Sequence, residues 1–142
     1  MRLDLNCVRD ILICVEENVT YEHGVEFYDP FSKYVGELGL DNGMPKCNEP
    51  LFEKYGAETL LYHLNYCFKD KLIEEDDMAL EPYIGVQDLT PHGHEVINDI
   101  REKTVFEKVK FVAKELGLGS MLSLREIVSH TSKNLIYDYF KS

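Results

Sequence analysis

The sequence lacks the features that mark membrane, repeat and disordered proteins. No apolar run approaches the roughly 20 residues that a membrane-spanning helix needs, and the chain has no low-complexity tract or internal repeat. Residues 1–19 carry acidic side chains on both sides of their apolar stretch and no small-residue cleavage site follows, so we expect no signal peptide and a cytoplasmic location. A chain of 142 residues with 44% hydrophobic content predicts one globular core.

Motifs that carry chemistry are also missing. No glycine cluster follows a strand to hold a nucleotide, and no HExxH, GxSxG or CxxC pattern occurs. The adjacent carboxylates of residues 74–77 lack the alternating oxygen ligands and the glycine of a calcium loop. A solvated acidic turn is therefore favoured over an acid–base dyad or a cation site. We expect a protein that is not an enzyme and that uses no cofactor.

The four cysteines predict reduced thiols rather than a disulfide or metal site. Cys7 and Cys14 lie seven residues apart, which places both on one helix face among apolar neighbours, and a free thiol there behaves as a small hydrophobe. His63 and Cys67, four residues apart on a predicted helix, have the spacing of two metal ligands. No second ligand pair accompanies them, so a metal site is disfavoured.

Apolar spacing predicts helices over residues 4–17, 57–72 and 104–116. Capping boxes, T-V-F-E from residue 104 and S-L-R-E from residue 123, mark the starts of the last two helices of the chain. On the final helix, Ile136, Tyr137 and Phe140 lie off the apolar stripe. This surplus apolar surface is explained either by a broad core contact or by a subunit interface, and we predict a homodimer held by these residues.

The remaining segments predict short strands and a loop. Residues 25–28 favour a strand, Asp29-Pro30 favours the start of a short helix to about residue 38, and residues 39–50 have the composition of a loop. Residues 72–76 and 83–89 predict two strands joined by an acidic, proline-containing segment.

The stretch "DLTPHGHEVINDI" carries two histidines two residues apart. Thr90 is a good N-cap and Pro91 suits the first helical position, so a helix is predicted to begin here. At about 100° per residue, His92 and His94 point roughly 200° apart around that helix and cannot close on one ion. We expect structural or solvent-facing histidines and no bound metal.

These elements predict a mainly α protein with a small β-ribbon, a winged helix-turn-helix-like domain with additional C-terminal helices. The winged-helix-like domain spans residues 1–103, with 25–50 as an insertion or loop, and residues 104–142 form a helical extension on the same core. The segment "YIGVQDLTPHGHEVI" also resembles the junction between wing and helix in regulator families of the MarR and PadR kind.

Three stretches resemble the bacterial and phage family known as domain of unknown function 2513. The opening "MRLDLNCVRDILICVEEN" is similar to that family's "RDMDLIRKIL..IE", and "GAETLLYHLNYCFKDKLIE" to its "EE..YH...L...GLIE". The most specific is "LTPHGHEVINDIREKTVFEKVKFVAKELG", similar to "LTW.GHEFLD..R..T.W.K.KE.L". His63 matches the family's helix histidine and His94 its Gly-His. The sequence departs from the family at Pro91, where tryptophan is usual, at Asp70-Lys71, where Ala-Gly is usual, and in the long 25–50 stretch. The resemblance implies a fold and no activity.

The 57–71 helix occupies the recognition position of the winged-helix interpretation. Six polar side chains on its predicted outer face could hydrogen-bond to bases or phosphates of double-stranded DNA. These candidates are Thr59, Tyr62, His63, Asn65, Tyr66 and Lys69.

Charge argues for an alternative. The net charge is −11: residues 1–100 carry 7 basic against 21 acidic side chains, and residues 101–142 carry 8 against 5. No arginine lies between Arg9 and Arg101, so the side chain that most often contacts guanine is absent from the predicted DNA-contacting region. Carboxylates at 74–77 and 81 would repel phosphates. The alternative is an acidic protein–protein interaction module that docks a basic protein partner and binds no DNA.

Overall fold

The computed structural model describes residues 1–36, 41–116, 124, 126–128 and 131. The protein is mainly helical with one small antiparallel sheet, as the sequence predicted. Leu124, residues 126–128 and Thr131 are also helical. The elements with named bounds are α1 Leu5–Asn18, β1 Val25–Tyr28, α2 Glu49–Tyr55, α3 Ala57–Lys69, β2 Ile73–Glu75, β3 Tyr83–Leu89, α4 Pro91–Ile100 and α5 Lys103–Leu116.

The sheet joins a strand from early in the chain to the β2–β3 hairpin. Its order is β1-β3-β2 and both pairings are antiparallel, with Val25 opposite Val86 and Ile73 opposite Leu89. The register shifts between Glu74 and Glu75, which is the position of a β-bulge. All three strands were predicted from the sequence, and β1 and β3 have the predicted bounds.

Helix α1 lies at the centre of the core. Cys7, Val8, Ile11, Leu12 and Val15 are fully buried, and the helix packs against α3, α4 and β3. Burying one large apolar side chain contributes about 1.5–3 kcal/mol, so this face is a main source of stability. The same core cluster takes in described residues beyond 103. These are Phe106, Val109, Ala113, Leu124, Ile127 and Val128.

The helices α2 and α3 meet at a one-residue corner. Gly56 separates them with φ of 80°, a conformation that suits glycine because a Cβ would be strained there. Before α2, the fully buried Asn48 accepts a hydrogen bond from the Tyr28 N–H through Oδ1 at 3.1 Å. Asn48 thus ties the start of α2 to the end of β1.

Two predictions for the 25–50 stretch were wrong. The described residues after β1, 29–36, form turns instead of a helix, and the predicted loop ends earlier because α2 begins at Glu49. The Asp29 carboxylate accepts a hydrogen bond from the Phe31 N–H at 2.9 Å, while the Asp29 N–H donates to Pro82 O at 2.8 Å. The Asp29 side chain thus makes the bond expected of a helix cap, but within a turn, and the bond to Pro82 O holds the segment against the hairpin.

The end of α3 is a Schellman motif with lysine where glycine is usual. The Leu72 N–H donates to Cys67 O at 2.9 Å and the Lys71 N–H donates to Phe68 O at 3.1 Å. Lys71 has φ of 57°, in the left-handed region that glycine adopts without steric cost. The departure at Lys71 from the family's Ala-Gly pattern therefore falls on a strained position.

The start of α4 is built as the sequence predicted. Thr90 Oγ1 accepts from the Gly93 N–H at 2.9 Å and donates to Lys71 O at 2.6 Å, and Pro91 takes the first helical position. A Cβ at Gly93 would lie 2.0 Å from Leu72 O. The "LTPHG" segment thus joins the end of α3, the hairpin and α4 at one close-packed point.

Helix α5 begins at Lys103, one residue before the predicted cap, so Thr104 lies inside its first turn. The side chain of Arg9 connects this region to α1. Its Nε donates to Ile100 O at 3.0 Å and its Nη2 donates to Arg101 O at 2.9 Å, which satisfies carbonyls at the end of α4. The guanidinium also lies 5.1 Å from the centre of the Phe106 ring.

Candidate nucleic-acid interface

Helix α3 presents one exposed row of side chains, which we call the α3 stripe. The row consists of Glu58, Tyr62, Asn65 and Lys69, spaced four, three and four residues apart, so all lie on one helix face. Three of the six predicted DNA-contact residues, Tyr62, Asn65 and Lys69, belong to it. The opposite face of α3 is buried against the core through Leu60, Leu64 and Cys67.

The prediction that His63 lies on the outer face was wrong. The side chain is fully buried, its Nε2 accepts a hydrogen bond from the Asp4 N–H at 2.7 Å, and its Nδ1 lies 2.7 Å from Thr59 O. Because Nε2 accepts, Nδ1 carries the proton and donates to Thr59 O. His63 follows the inward row of Leu60, Leu64 and Cys67, and that spacing was the clue to its burial. With both ring nitrogens engaged, it has no atom free to share a metal ion with Cys67.

Thr59 and Tyr66 flank the α3 stripe and are half-buried. The Tyr66 hydroxyl forms a hydrogen bond with the Leu124 backbone. Burial raises the pKa of Tyr66 above its usual range, and the nearby Asp70 carboxylate raises it further. Tyr66 is therefore a neutral phenol that contacts Leu124.

A cleft of about 810 Å³ opens on one side of the α3 stripe. We call it the N-terminal cleft, because the first residues of the chain form one wall, with α3 and α5 forming the others. Three basic side chains line it: Arg2, Lys110 and Lys114. Sequence reasoning missed these residues, although the positive balance of the last third of the chain pointed to α5. The other lining residues are Met1, Leu3, Asp4, Leu5, Asn6, Tyr62, Tyr66 and Ala113.

The side chains of the β2–β3 hairpin give it the opposite charge. We call this hairpin the acidic ribbon; Glu74, Glu75, Asp77 and Glu81 are exposed on it. Asp76 differs from its neighbours because its Oδ1 accepts a hydrogen bond from the Met78 N–H at 3.0 Å and so shapes the turn.

The end of the acidic ribbon is apolar as well as charged. Met78 is 84% exposed and Leu80 is 65% exposed, so two large apolar side chains are solvent-exposed among the carboxylates. A surface that combines apolar and acidic groups in this way suits contact with a protein rather than with phosphates.

The two histidines of "TPHGHE" are exposed on α4, at different angles around it. His92 Nδ1 lies 3.9 Å from the Glu95 carboxylate. Within the described part of the chain, no group of three or more histidine, cysteine or acidic side chains is placed to hold a metal ion. That the pair binds no metal stays a prediction.

The cysteines form no disulfide with one another, and Cys7, Cys14 and Cys67 are buried. Burial raises the pKa of the Cys7 thiol to about 12, and the Asp4 and Asp10 carboxylates add to the effect. Burial likewise raises the pKa of Cys14 to about 12. Both thiols are thus neutral at physiological pH and act as core residues, as the sequence predicted.

Ile136, Tyr137 and Phe140, the predicted dimer interface, lie outside the described residues, so the homodimer stays a prediction. Among the helices within the described ranges, none is long and apolar enough to cross a membrane.

Comparison with known proteins gives one match. A family model described as "Hypothetical protein (DUF2513)" covers residues 2–119, from the first wall of the N-terminal cleft to beyond the end of α5. No curated protein and no solved structure matches the chain.

Proposed function

The chain belongs to the family of hypothetical proteins DUF2513, and we propose that it is a non-enzymatic, cytoplasmic regulatory protein that binds double-stranded DNA. The binding element is α3, acting as the recognition helix of a winged helix-turn-helix. The dimer predicted for the C-terminal helix would present two such helices.

The observation that carries the proposal is the order of the elements. Helix, strand, two helices and a two-stranded ribbon follow one another from α1 to β3, and the sheet order is β1-β3-β2. This order supports the proposal because a winged helix-turn-helix has the same one, and in it α2 and α3 would form the helical pair and the acidic ribbon would be the wing. The second helix of such a pair enters the major groove.

The α3 stripe has the chemistry for that role. An asparagine such as Asn65 pairs with the edge of adenine, and a lysine such as Lys69 pairs with guanine or a phosphate. Tyr62 is 44% exposed and offers a hydroxyl and an aromatic face. From the first to the last residue the stripe measures about 16 Å, which matches four or five base pairs.

The test is binding of mixed-sequence duplex DNA to the full chain by fluorescence anisotropy at low salt. We expect N65A/K69A to weaken binding at least several-fold. The matched control N98A/K108A removes the same two side-chain types from exposed positions on α4 and α5. An intact protein that binds no duplex at low salt would refute the proposal, as would equal losses in both double variants.

A second candidate function is supported by the end of the acidic ribbon. Exposed Met78 and Leu80 among carboxylates favour docking of a basic protein partner, the interaction-module alternative. The two functions predict opposite effects when the ribbon is neutralised, which is the basis of an experiment given in the Discussion.

A further inference from the structure

We propose that the N-terminal cleft holds the phosphodiester backbone of DNA beside α3, with Arg2, Lys110 and Lys114 as the phosphate-contacting residues. The inference rests on the proposed DNA binding and adds to it the side of the protein on which the duplex lies.

The first argument is position. Tyr62 belongs both to the α3 stripe and to the wall of the cleft, so the cleft adjoins the stripe at Tyr62. A helix in the major groove has a sugar–phosphate backbone on each side of it. The backbone on the α1 and α5 side would pass through the cleft.

The second argument is charge. Of the described residues that line the cleft, Arg2, Lys110 and Lys114 are basic and only Asp4 is acidic. The Asp4 carboxylate is already engaged as the cap of α1, since its Oδ1 accepts from the Asn6 N–H at 2.9 Å. The cleft is therefore basic within a chain whose net charge is −11, and the phosphate diester is an anion that it would attract.

The third argument is the fixed placement of Lys110. Its Nζ lies 4.7 Å from the centre of the Phe106 ring and 3.0 Å from the Glu107 carboxylate, which holds the side chain along α5. A lysine held in this way loses less side-chain freedom when it contacts a phosphate. Glu107 is not among the described residues that line the cleft.

The fourth argument is the contrast in charge between the cleft and the acidic ribbon. Exposed carboxylates on the acidic ribbon would repel a phosphate backbone, whereas the cleft would attract it. A duplex bound at the α3 stripe is therefore expected to lie towards the cleft and away from the ribbon.

The experiment compares two double variants of the full chain that remove equal charge from the same helix. K110A/K114A empties the cleft of its α5 lysines, whereas K103A/K108A removes two lysines from the α5 surface around Phe111. Duplex affinity is measured from low to moderate salt for both variants and for the wild type. We expect K110A/K114A to weaken binding and to reduce the slope of log affinity against log salt by about 2, with little change in the control.

Rescue strengthens the test, because K110R/K114R should restore the wild-type slope. If the wild type binds DNA and the two alanine variants lose equal affinity, net charge is responsible and the cleft assignment is overturned while DNA binding stands. The cleft assignment is likewise overturned if neither alanine variant changes its affinity for the duplex. If the folded wild type binds no duplex, the proposed function fails and the cleft assignment fails with it.

Discussion

The imidazole of His63 and the backbone of Asp4 are joined by a hydrogen bond, with the Asp4 N–H donating to Nε2 at 2.7 Å. Asp4 is the N-cap of α1, so the bond fixes the beginning of α1 to the inward face of α3. The family's helix histidine, which His63 matches, thus has a structural role in this chain. It also sets the separation between the first residues and α3, and with it the shape of the N-terminal cleft.

Replacement of His63 by leucine should destabilise the protein by about 1–3 kcal/mol, because the Asp4 N–H loses its partner in a part-buried position. Urea unfolding measures the change. The control His94→Leu alters an exposed histidine and should shift the midpoint little. An equal shift in both variants would contradict a specific role for the His63 bond.

Replacement of Lys71 by glycine should stabilise the protein by about 0.5–1 kcal/mol, since glycine adopts the left-handed conformation without steric cost. Thermal and urea unfolding both report the gain. Lys69→Gly, two residues earlier and inside the last turn of α3, should instead cost about 1 kcal/mol. If Lys71→Gly lowers the free energy of unfolding as Lys69→Gly does, Lys71 is not strained.

The buried thiols should make the protein sensitive to alkaline pH. The folded-state pKa values of Cys7 and Cys14 are raised to about 12, so their contribution to stability is complete below pH 9 and falls as the pH rises towards 12. Each thiol can cost up to about 1.4 kcal/mol per pH unit in that range. Urea unfolding at pH 7.5 and pH 10 should show a smaller loss for C7A/C14A than for the wild type, and identical losses would exclude the thiols as the cause.

Neutralising the acidic ribbon separates the two candidate functions. The variant E74Q/E75Q/D77N leaves Asp76 in place, because that side chain accepts a hydrogen bond from the Met78 N–H. If α3 binds DNA, the variant should bind mixed duplex more tightly, since repulsion of phosphates is reduced. If the ribbon instead docks a basic protein, DNA affinity should be undetectable in both forms. Binding to a basic model protein should then weaken and lose salt sensitivity.

Local pattern was sufficient to predict most of the elements. A short local sequence is enough to indicate the apolar spacing of α1 and α3, the strands of the ribbon and the Thr90-Pro91 start of α4. Helix α2 was missed because it has seven residues with only Leu51 buried, too few for a periodic pattern. Its position depends on the adjacent Gly56 corner and on the bond between Asn48 and Tyr28, which are 20 residues apart in sequence.

The candidate site was less predictable than the fold. Helical periodicity predicted the exposure of Tyr62, Asn65 and Lys69, and the inward row next to His63 was the clue to its burial. Its hydrogen bond with the Asp4 N–H could not be predicted, because Asp4 is 59 residues away in sequence. The basic residues of the cleft come from opposite ends of the chain. Arg2 and Lys110 line the same cleft because α5 packs near the first residues, and no local sequence pattern predicts that packing.

The basic N-terminal cleft and the acidic ribbon carry opposite charges, which give the molecule an electric dipole. In the field of a polyanion, a torque acts on this dipole even though the net charge opposes approach. The protein would therefore rotate so that its cleft faces the duplex before contact. Encounters in which the acidic ribbon approaches the duplex first would not lead to binding. If α3 binds DNA as proposed, this acidic protein would reach the duplex slowly but in a single orientation. Salt screens both effects, so it would ease the approach and loosen the orientation.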